Sequence, residues 1–302
     1  MNGARDSDVG PELEPETALR EAAPEQRGEI FAPGPRSVAE RLAHRVRLNV
    51  PVPNNPVLAA LLERINEDDE IYALWVAANV TAVERLGMTD HGPVHVKIVM
   101  NIACKLLRLL LDTGVAPAVT TTYGFGRTEA EVVVALAALF HDVGMAIHRR
   151  EHETYSLFVA QEHLRRLLLA HYDPATATVL RSEILHAIIA HRAGGKPLTL
   201  EAGIVRVADA LDMAKGRSRI PFASGSASIH SISAAAIDAV RIEPGQGKPV
   251  RVRIEMTNSA GVFQLDQLLR EKLMGSGLEP YVEVEAEIRG ETEKRLLTAF
   301  RL

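Results

Sequence analysis

The chain has 302 residues, of which 47% are hydrophobic and only 4% aromatic, so it can bury a large core built mainly from aliphatic side chains. Its formal charge is -5, and the first 29 residues, with eight acidic residues against three arginines, account for this excess. The rest of the chain is close to neutral, which argues against binding of long nucleic acid. The single cysteine, Cys104, excludes a disulfide framework and a cysteine metal site.

The N-terminal region, residues 1–36, is rich in proline, glutamate, glycine and alanine and has few apolar residues. This composition cannot offset the entropy cost of ordering, so we predict a disordered extension there. The region lacks the basic start and apolar core of a signal peptide, and no apolar run in the chain approaches the roughly 18 residues of a membrane span. We therefore expect a cytoplasmic protein that has no membrane partner.

Residues 37–219 have the periodicity of amphipathic and buried helices, and we assign them to one helical domain. Capping patterns predict helix starts at Ser37, Thr128 and Asp173. The helix after Thr128 is apolar almost all round, which predicts that it is the central buried helix of the domain. It ends at the pair His141-Asp142, so these two side chains are expected at a rigid position.

Residues 220–302 follow a different pattern, which predicts a small α/β domain with one sheet backed by a helix. Two segments, 250–256 and 282–288, alternate apolar and charged residues as strands with one solvent-exposed face do. Helical spacing falls between them at 263–273, and further strands are expected near 237–243 and 294–301. The predicted fold class is therefore mainly α, with a C-terminal α/β domain that is a candidate for regulation or for homodimer formation.

Histidine is concentrated in one part of the chain, because nine of the 11 histidines lie between residues 91 and 191 in an otherwise apolar, helical segment. His91 and His95 are four residues apart, His141 and Asp142 are adjacent, and Asp209 follows in another apolar helix. Imidazole nitrogens combined with carboxylate oxygens suit a first-row divalent ion. The sequence therefore predicts a metal site.

This order of residues resembles the HD-domain superfamily of metal-dependent phosphohydrolases, in which a histidine, a His-Asp pair and a distant aspartate bind the metal. The matching positions are His95, His141, Asp142 and Asp209, and the resemblance covers about residues 70–215. It implies a divalent ion such as Mn, Co, Fe, Ni or Mg. It also implies an activated water that attacks a small phosphoester, with nucleotides among the candidates.

The resemblance also suggests roles for other histidines. His91 has the spacing of the proton donor in cyclic-nucleotide phosphodiesterases of the superfamily, so we interpret His91, together with Asp142, as catalytic. Some members bind two metal ions, and His152 and His191 fall about where the additional ligands would be. His148, one turn before His152, is an alternative to it. The sequence leaves open whether one or two ions are bound.

A basic cluster directly follows the helix of Asp209 and consists of Lys215, Arg217 and Arg219. We interpret it as a clamp for the substrate phosphate, and the alternative is an inter-domain loop that pairs with surface acids. Asp212 lies one helical turn after Asp209. It either supports the metal site from behind or pairs with Lys215 or Arg217.

Two other functions remain as alternatives to the phosphohydrolase. A minority of HD-fold proteins are di-iron oxygenases that use a similar set of histidines and aspartates. The third hypothesis is a ligand-sensing or scaffold module without catalysis. The cyclic-dinucleotide phosphodiesterases with a Gly-Tyr-Pro motif are excluded, because Arg192-Ala193-Gly194 follows His191 instead.

Overall fold

The computed structural model describes residues 36–43, 45–192, 194–214, 233–289 and 299–301. Its secondary structure is mainly helical, with a small C-terminal sheet, which confirms the predicted fold class. Residues 1–35 carry most of the predicted N-terminal extension and lie outside the described part. From Val38 onward the chain forms one compact unit, and the division into domains at 37–219 and 220–302 stays a prediction.

Nine helices precede the sheet in the described part of the chain. They are α1 (Val38–Leu42), α2 (Pro56–Asn66), α3 (Asp69–Asn79), α4 (Pro93–Asp112), α5 (Ala118–Tyr123), α6 (Arg127–Phe140), α7 (His152–Leu168), α8 (Pro174–Ala190) and α9 (Leu200–Leu211). A π-helical turn, Val80–Arg85, continues α3, and a 3-10 turn, Val143–Ala146, follows α6. None of these helices combines the length and apolar character that crossing a bilayer requires.

Helix α6 is the centre of the helical part, as its sequence predicts. Every residue from Ala130 to Phe140 is buried, and α4, α8 and α9 pack around it. Such a helix is apolar on all sides because it has no solvent-exposed face. Cys104, on α4, is fully buried as a free thiol, and burial raises its pKa to about 12.

The predicted helix starts are confirmed in two places and wrong in one. Helix α1 begins directly after Ser37, and the Asp173 carboxylate accepts hydrogen bonds from the backbone at the start of α8. Helix α6 begins at Arg127 rather than after Thr128, because the Glu129 carboxylate accepts a hydrogen bond from the Gly126 N–H at 2.9 Å. The Glu129 side chain therefore caps this helix from inside its first turn, because the N-cap residue, Gly126, has no side chain that could do so.

The C-terminal sheet contains four described strands in the order β1-β2-β3-β4. They are β1 (Ile237–Pro244), β2 (Val250–Met256), β3 (Val282–Ile288) and β4 (Ala299–Arg301). The two outer pairs are antiparallel, whereas β2 and β3 run parallel with Val250 opposite Val282. A parallel pair needs a crossover connection, and a helical segment at residues 262–273, here named α10, lies in this connection.

The sheet and the helices share one hydrophobic core. Val252 and Ile254 of β2 and Val284 of β3 belong to the same cluster of buried side chains as the residues of α6. Strands β1 and β2 pack on α4, and α10 packs on α9. The C-terminal part therefore reaches the two helices, α4 and α9, that also supply predicted metal ligands.

Candidate metal centre

Six predicted ligands, supplied by five helices, meet at one place. Their side chains form three overlapping groups in which the donor atoms lie within 4.8 Å of one another. They are His95 in the first turn of α4, His141 and Asp142 directly after α6, His152 at the start of α7, His191 directly after α8, and Asp209 in the last turn of α9. All are buried except Asp209, which is partly buried.

The first set of donor atoms has the spacing of ligands around one ion. His95 Nε2 lies 3.2 Å from His141 Nε2, 3.4 Å from Asp142 Oδ2 and 3.5 Å from Asp209 Oδ1. Two ligands held at about 2.1 Å from an ion are roughly 3.0 Å apart at an octahedral edge and roughly 3.4 Å apart at a tetrahedral one. The four residues therefore fit a divalent ion.

The second oxygen of Asp142 faces a different pair of imidazoles. Asp142 Oδ1 lies 3.1 Å from His152 Nε2 and 3.6 Å from His191 Nε2. The Oδ2 atom of the same carboxylate lies 3.2 Å from His141 Nε2. The two oxygens of Asp142 thus face different imidazoles, and His191 also lies close to His141 and Asp209.

Each imidazole is held through its Nδ1 atom, which leaves Nε2 as the atom that faces the centre. A hydrogen bond from Nδ1 places the proton there and orients the ring, as is usual for metal-binding histidines. The acceptors are Asp212 Oδ2 for His95 at 2.6 Å, the Ala138 carbonyl for His141 at 2.8 Å and the Ile188 carbonyl for His191 at 2.6 Å. His152 Nδ1 lies 3.0 Å from the Arg149 carbonyl and 2.9 Å from the Arg149 guanidinium, so Arg149 holds this ring from both groups. Converging Nε2 lone pairs repel one another unless a cation lies between them.

The electrostatics of the site favour a cation. Burial alone would lower the pKa of His141, but the carboxylates of Asp142 and Asp209 raise it to about 9. Burial would raise the pKa of Asp142, whereas the surrounding imidazoles, first that of His141, hold it well below its usual range. The pKa of Asp209 is also held well below its usual range against burial, first by Lys272. Ionised carboxylates here require a partner, which is either protonated imidazole or a divalent ion that replaces the proton.

Comparison with known proteins identifies the family. A family model described as HD domain matches residues 94–214, the segment that contains all six ligand positions. The chain is also 40% identical over 231 residues to the uncharacterized protein MJ1020 of Methanocaldococcus jannaschii, a match that covers 76% of this chain and 89% of that protein. The chain belongs to the HD-domain superfamily. The predicted family is therefore confirmed, and with it the membership of a superfamily of metal-dependent phosphohydrolases whose domains bind divalent metals.

Asp212 contacts His95 on the side of the imidazole ring that faces away from the centre of the HD site. Its Oδ2 atom lies 2.6 Å from His95 Nδ1, so the carboxylate fixes the orientation of a ligand without facing the centre itself. The sequence left Asp212 open between this role and a pairing with Lys215 or Arg217. Those two residues and Arg219, the predicted phosphate clamp, lie outside the described residues.

The turn after the His-Asp pair depends on Gly144 and on a serine that the sequence did not single out. Ser156 Oγ of α7 donates to the His141 carbonyl at 2.6 Å and accepts from the Gly144 N–H at 2.8 Å. A Cβ atom on Gly144 would lie only 2.0 Å from the His152 carbonyl oxygen. The start of α7, which carries the predicted ligand His152, therefore lies so close to this turn that only glycine fits at position 144.

His91, the predicted catalytic histidine, lies beside the ligands but in the loop before α4. Its ring centroid is 5.6 Å from that of His95, and its Nδ1 atom lies 2.7 Å from the Thr89 carbonyl. Its backbone N–H donates to Asn79 Oδ1 at 3.1 Å, and a Cβ atom on Gly92 would lie 2.7 Å from the Asn79 Cβ. Close packing of this loop against Asn79 of α3 thus positions His91, which does not lie on α4 with His95.

His148 is not among the clustered donors of the described part. It is exposed, and its Nδ1 atom accepts a hydrogen bond from the Arg150 N–H at 3.0 Å. Of the two alternatives in this segment, the structure brings His152 to the site.

The sequence analysis missed two basic residues, of which Lys272 reaches the site and Arg206 contacts the helix that carries Lys272. Lys272 of α10 lies 3.2 Å from Asp209 Oδ2, and Arg206 of α9 contacts the end of α10. Lys272 stands in the charged run Arg270-Glu271-Lys272, which is typical of a solvated helix face. Its partner is 63 residues away, and no local pattern indicates the contact.

Proposed function

We propose that this HD protein is a metal-dependent phosphohydrolase that cleaves a small phosphoester, with nucleotides among the candidate substrates, at a pair of divalent ions. The observation that carries the proposal is the division of Asp142. Its Oδ2 atom lies 3.2 Å from His141 Nε2, whereas its Oδ1 atom lies 3.1 Å from His152 Nε2 and 3.6 Å from His191 Nε2, so this carboxylate would be able to hold two ions. Structural metal sites usually have a single closed ligand set instead.

The charges around the site support a phosphate substrate. The two carboxylates among the predicted ligands, Asp142 and Asp209, carry two negative charges when the surrounding imidazoles are neutral. One divalent ion would cancel these charges, and a second would leave two positive charges. A doubly occupied site therefore complements a phosphoryl dianion, whereas a neutral substrate gains nothing from it.

The protein side chains would divide the work as follows. Divalent ions, when bound, lower the pKa of a coordinated water and neutralise phosphoryl oxygens. Asp142 fixes the two halves of the site relative to each other, and Asp212 keeps the ring of His95 in place. His91 lies beside this ring, and the Thr89 carbonyl orients its imidazole, so His91 is the residue placed to protonate the leaving oxygen.

The experiment uses full-length protein reconstituted with Mn²⁺ or Co²⁺ and a panel of nucleotides, cyclic nucleotides and sugar phosphates. We expect metal-dependent release of phosphate or of a phosphomonoester from at least one compound. Asp142→Asn should abolish turnover, while Asp112→Asn, which changes an exposed aspartate in the last turn of α4, should not. Elemental analysis should give two ions per chain, and one in His191→Ala.

Three results would contradict the proposal or its parts. Fully metallated protein that hydrolyses nothing on the panel would refute the phosphohydrolase. Iron with an oxygen-dependent absorption band, again without hydrolysis, would indicate the di-iron oxygenase instead. Unchanged stoichiometry in both His152→Ala and His191→Ala would leave a mononuclear site.

A further inference from the structure

Lys272 is the basic side chain that the C-terminal part of the chain places at the HD site. Its ammonium lies 3.2 Å from Asp209 Oδ2 and also donates to the carbonyl of His191. The side chain is 15% exposed, so most of it is removed from water. Lys272 therefore contacts one predicted ligand through a carboxylate and another through its backbone.

Arg206 holds the helix that carries Lys272. Its guanidinium is buried and donates to the carbonyls of Lys272 at 2.9 Å and of Glu271 at 3.0 Å, and it also contacts the Gly195 carbonyl. The carbonyls of Glu271 and Lys272 belong to the last turn of α10, and the carbonyls in the last turn of a helix have no partners within the helix. Burial lowers the pKa of Arg206, so the chain bears a desolvation cost to fix this helix end.

Helix α9 makes three of the contacts that position Lys272. Gly203, Arg206 and Asp209 are spaced by three residues and lie on the same side of the helix. A Cβ atom on Gly203 would lie 2.1 Å from the carbonyl oxygen of Ser276, so α9 touches the backbone just after α10. The position of Lys272 beside Asp209 is thus built by close packing and by a buried arginine, and not by a flexible surface side chain.

A role for Lys272 in neutralising the Asp209 carboxylate does not by itself explain why its ammonium is fixed at the site. Asp209 Oδ1 faces His95 Nε2 at 3.5 Å, so a bound divalent ion would already neutralise this carboxylate. An ammonium fixed close to such an ion is repelled by it, unless an additional anion lies between them. The described partners take two of the three N–H donors of Lys272, which leaves one for a phosphoryl oxygen.

We propose that Lys272 binds the non-bridging phosphoryl oxygens of the substrate, so that the C-terminal α/β part completes the active site of the HD domain. This inference rests on the proposed function for its substrate. It assigns to α10 the phosphate contact that the sequence analysis assigned to Lys215, Arg217 and Arg219.

The test measures binding of inorganic phosphate to the Mn²⁺-loaded full-length protein by calorimetry, and it needs no turnover. Loss of one charge-assisted hydrogen bond should raise the Kd for phosphate in Lys272→Gln by about ten- to a hundredfold, with the manganese content unchanged. Lys272→Arg, which keeps the charge, should recover part of the affinity. Arg270→Gln is the matched control, because it removes an exposed cation of the same helix that pairs with Asp266.

Two outcomes would overturn the inference. One is an unchanged phosphate Kd in Lys272→Gln together with a lower manganese content, which would show that Lys272 only balances Asp209. The other is the absence of phosphate binding to the metal-loaded wild type. If phosphate affinity depends on Lys272 while no ester is hydrolysed, the inference holds and the proposed phosphohydrolase fails, so the two are distinguishable.

Discussion

Replacement of Gly144 by alanine tests the close approach of α7 to the turn after the His-Asp pair. The added Cβ would lie 2.0 Å from the His152 carbonyl oxygen and 2.4 Å from the Ser156 N atom, whereas real Cβ contacts are essentially never shorter than 3.0 Å. Both atoms are backbone atoms in the first turns of α7 and cannot rotate away. The start of α7 must therefore move by about 1 Å, which is the difference between 2.0 Å and the shortest acceptable contact of 3.0 Å.

This movement should cost stability and metal together. It strains or breaks the two hydrogen bonds of Ser156 Oγ, each worth about 1 kcal/mol, and adds about 1–3 kcal/mol of overpacking. We expect the free energy of unfolding of the metal-free protein to fall by about 3–5 kcal/mol. Metal sites tolerate ligand displacements of only about 0.2 Å, so a shift of His152 should also weaken binding of one ion.

Chemical denaturation of the metal-free protein and elemental analysis after reconstitution measure the two effects. Gly124→Ala is the control, because Gly124 has φ +73° and nothing within 4 Å of its added Cβ. That change should cost only the left-handed strain of about 1 kcal/mol and leave metal content unchanged. If Gly144→Ala is as stable as Gly124→Ala and binds full metal, the reasoning about this turn is wrong.

Two further predictions concern buried carboxylates. Asp212→Asn removes the charge behind His95, so the affinity for Mn²⁺ should fall by about ten- to a hundredfold in calorimetric titration, and equal affinities would refute this role. Glu201 is buried and accepts hydrogen bonds from Ala118 N and Val119 N, and burial raises its pKa. The protonated carboxyl of Glu201 therefore stabilises the folded state at low pH, and this stabilisation is lost as the pH rises through the folded-state pKa. Wild type should therefore lose stability relative to Glu201→Gln as the pH rises above about 4.3. Denaturation at several pH values measures the difference between their free energies of unfolding, and a difference that does not change with pH would contradict the prediction.

The pattern of apolar and charged residues along the sequence was enough to predict those helices and strands whose buried faces follow the helical or strand period. The alternation in residues 250–256 and 282–288 corresponds to β2 and β3, because one face of each strand joins the core. The continuous apolar run before His141 predicted a fully buried helix for the same reason. The order of histidines and aspartates predicted a group of side chains that the structure brings together, because each of them stands at or near a helix end. Their role as metal ligands stays a prediction.

Contacts between distant segments could not be predicted in this way. Lys272 looks like a residue of a solvated helix face, and only the packing of α10 on α9 brings it to Asp209. Ser156 is an ordinary helical serine in sequence, and its role depends on the close approach of α7 to Gly144. The start of α6 was misplaced because the capping interaction runs backward from Glu129 to Gly126, where no polar side chain indicates it.

The wide separation of the site residues along the chain has a consequence for biosynthesis. His95 and Asp212 are 117 residues apart in sequence, and Lys272 lies 63 residues after Asp209. At about 5–20 residues per second, the roughly 180 residues from His95 to Lys272 take about 10–35 s to translate. During this interval the early histidines are exposed on the ribosome without the pocket that imposes a coordination geometry, and isolated imidazoles favour Cu²⁺ over the other first-row ions. Selection of the correct metal therefore has to follow the synthesis of Asp209, which supplies the last of the predicted ligands.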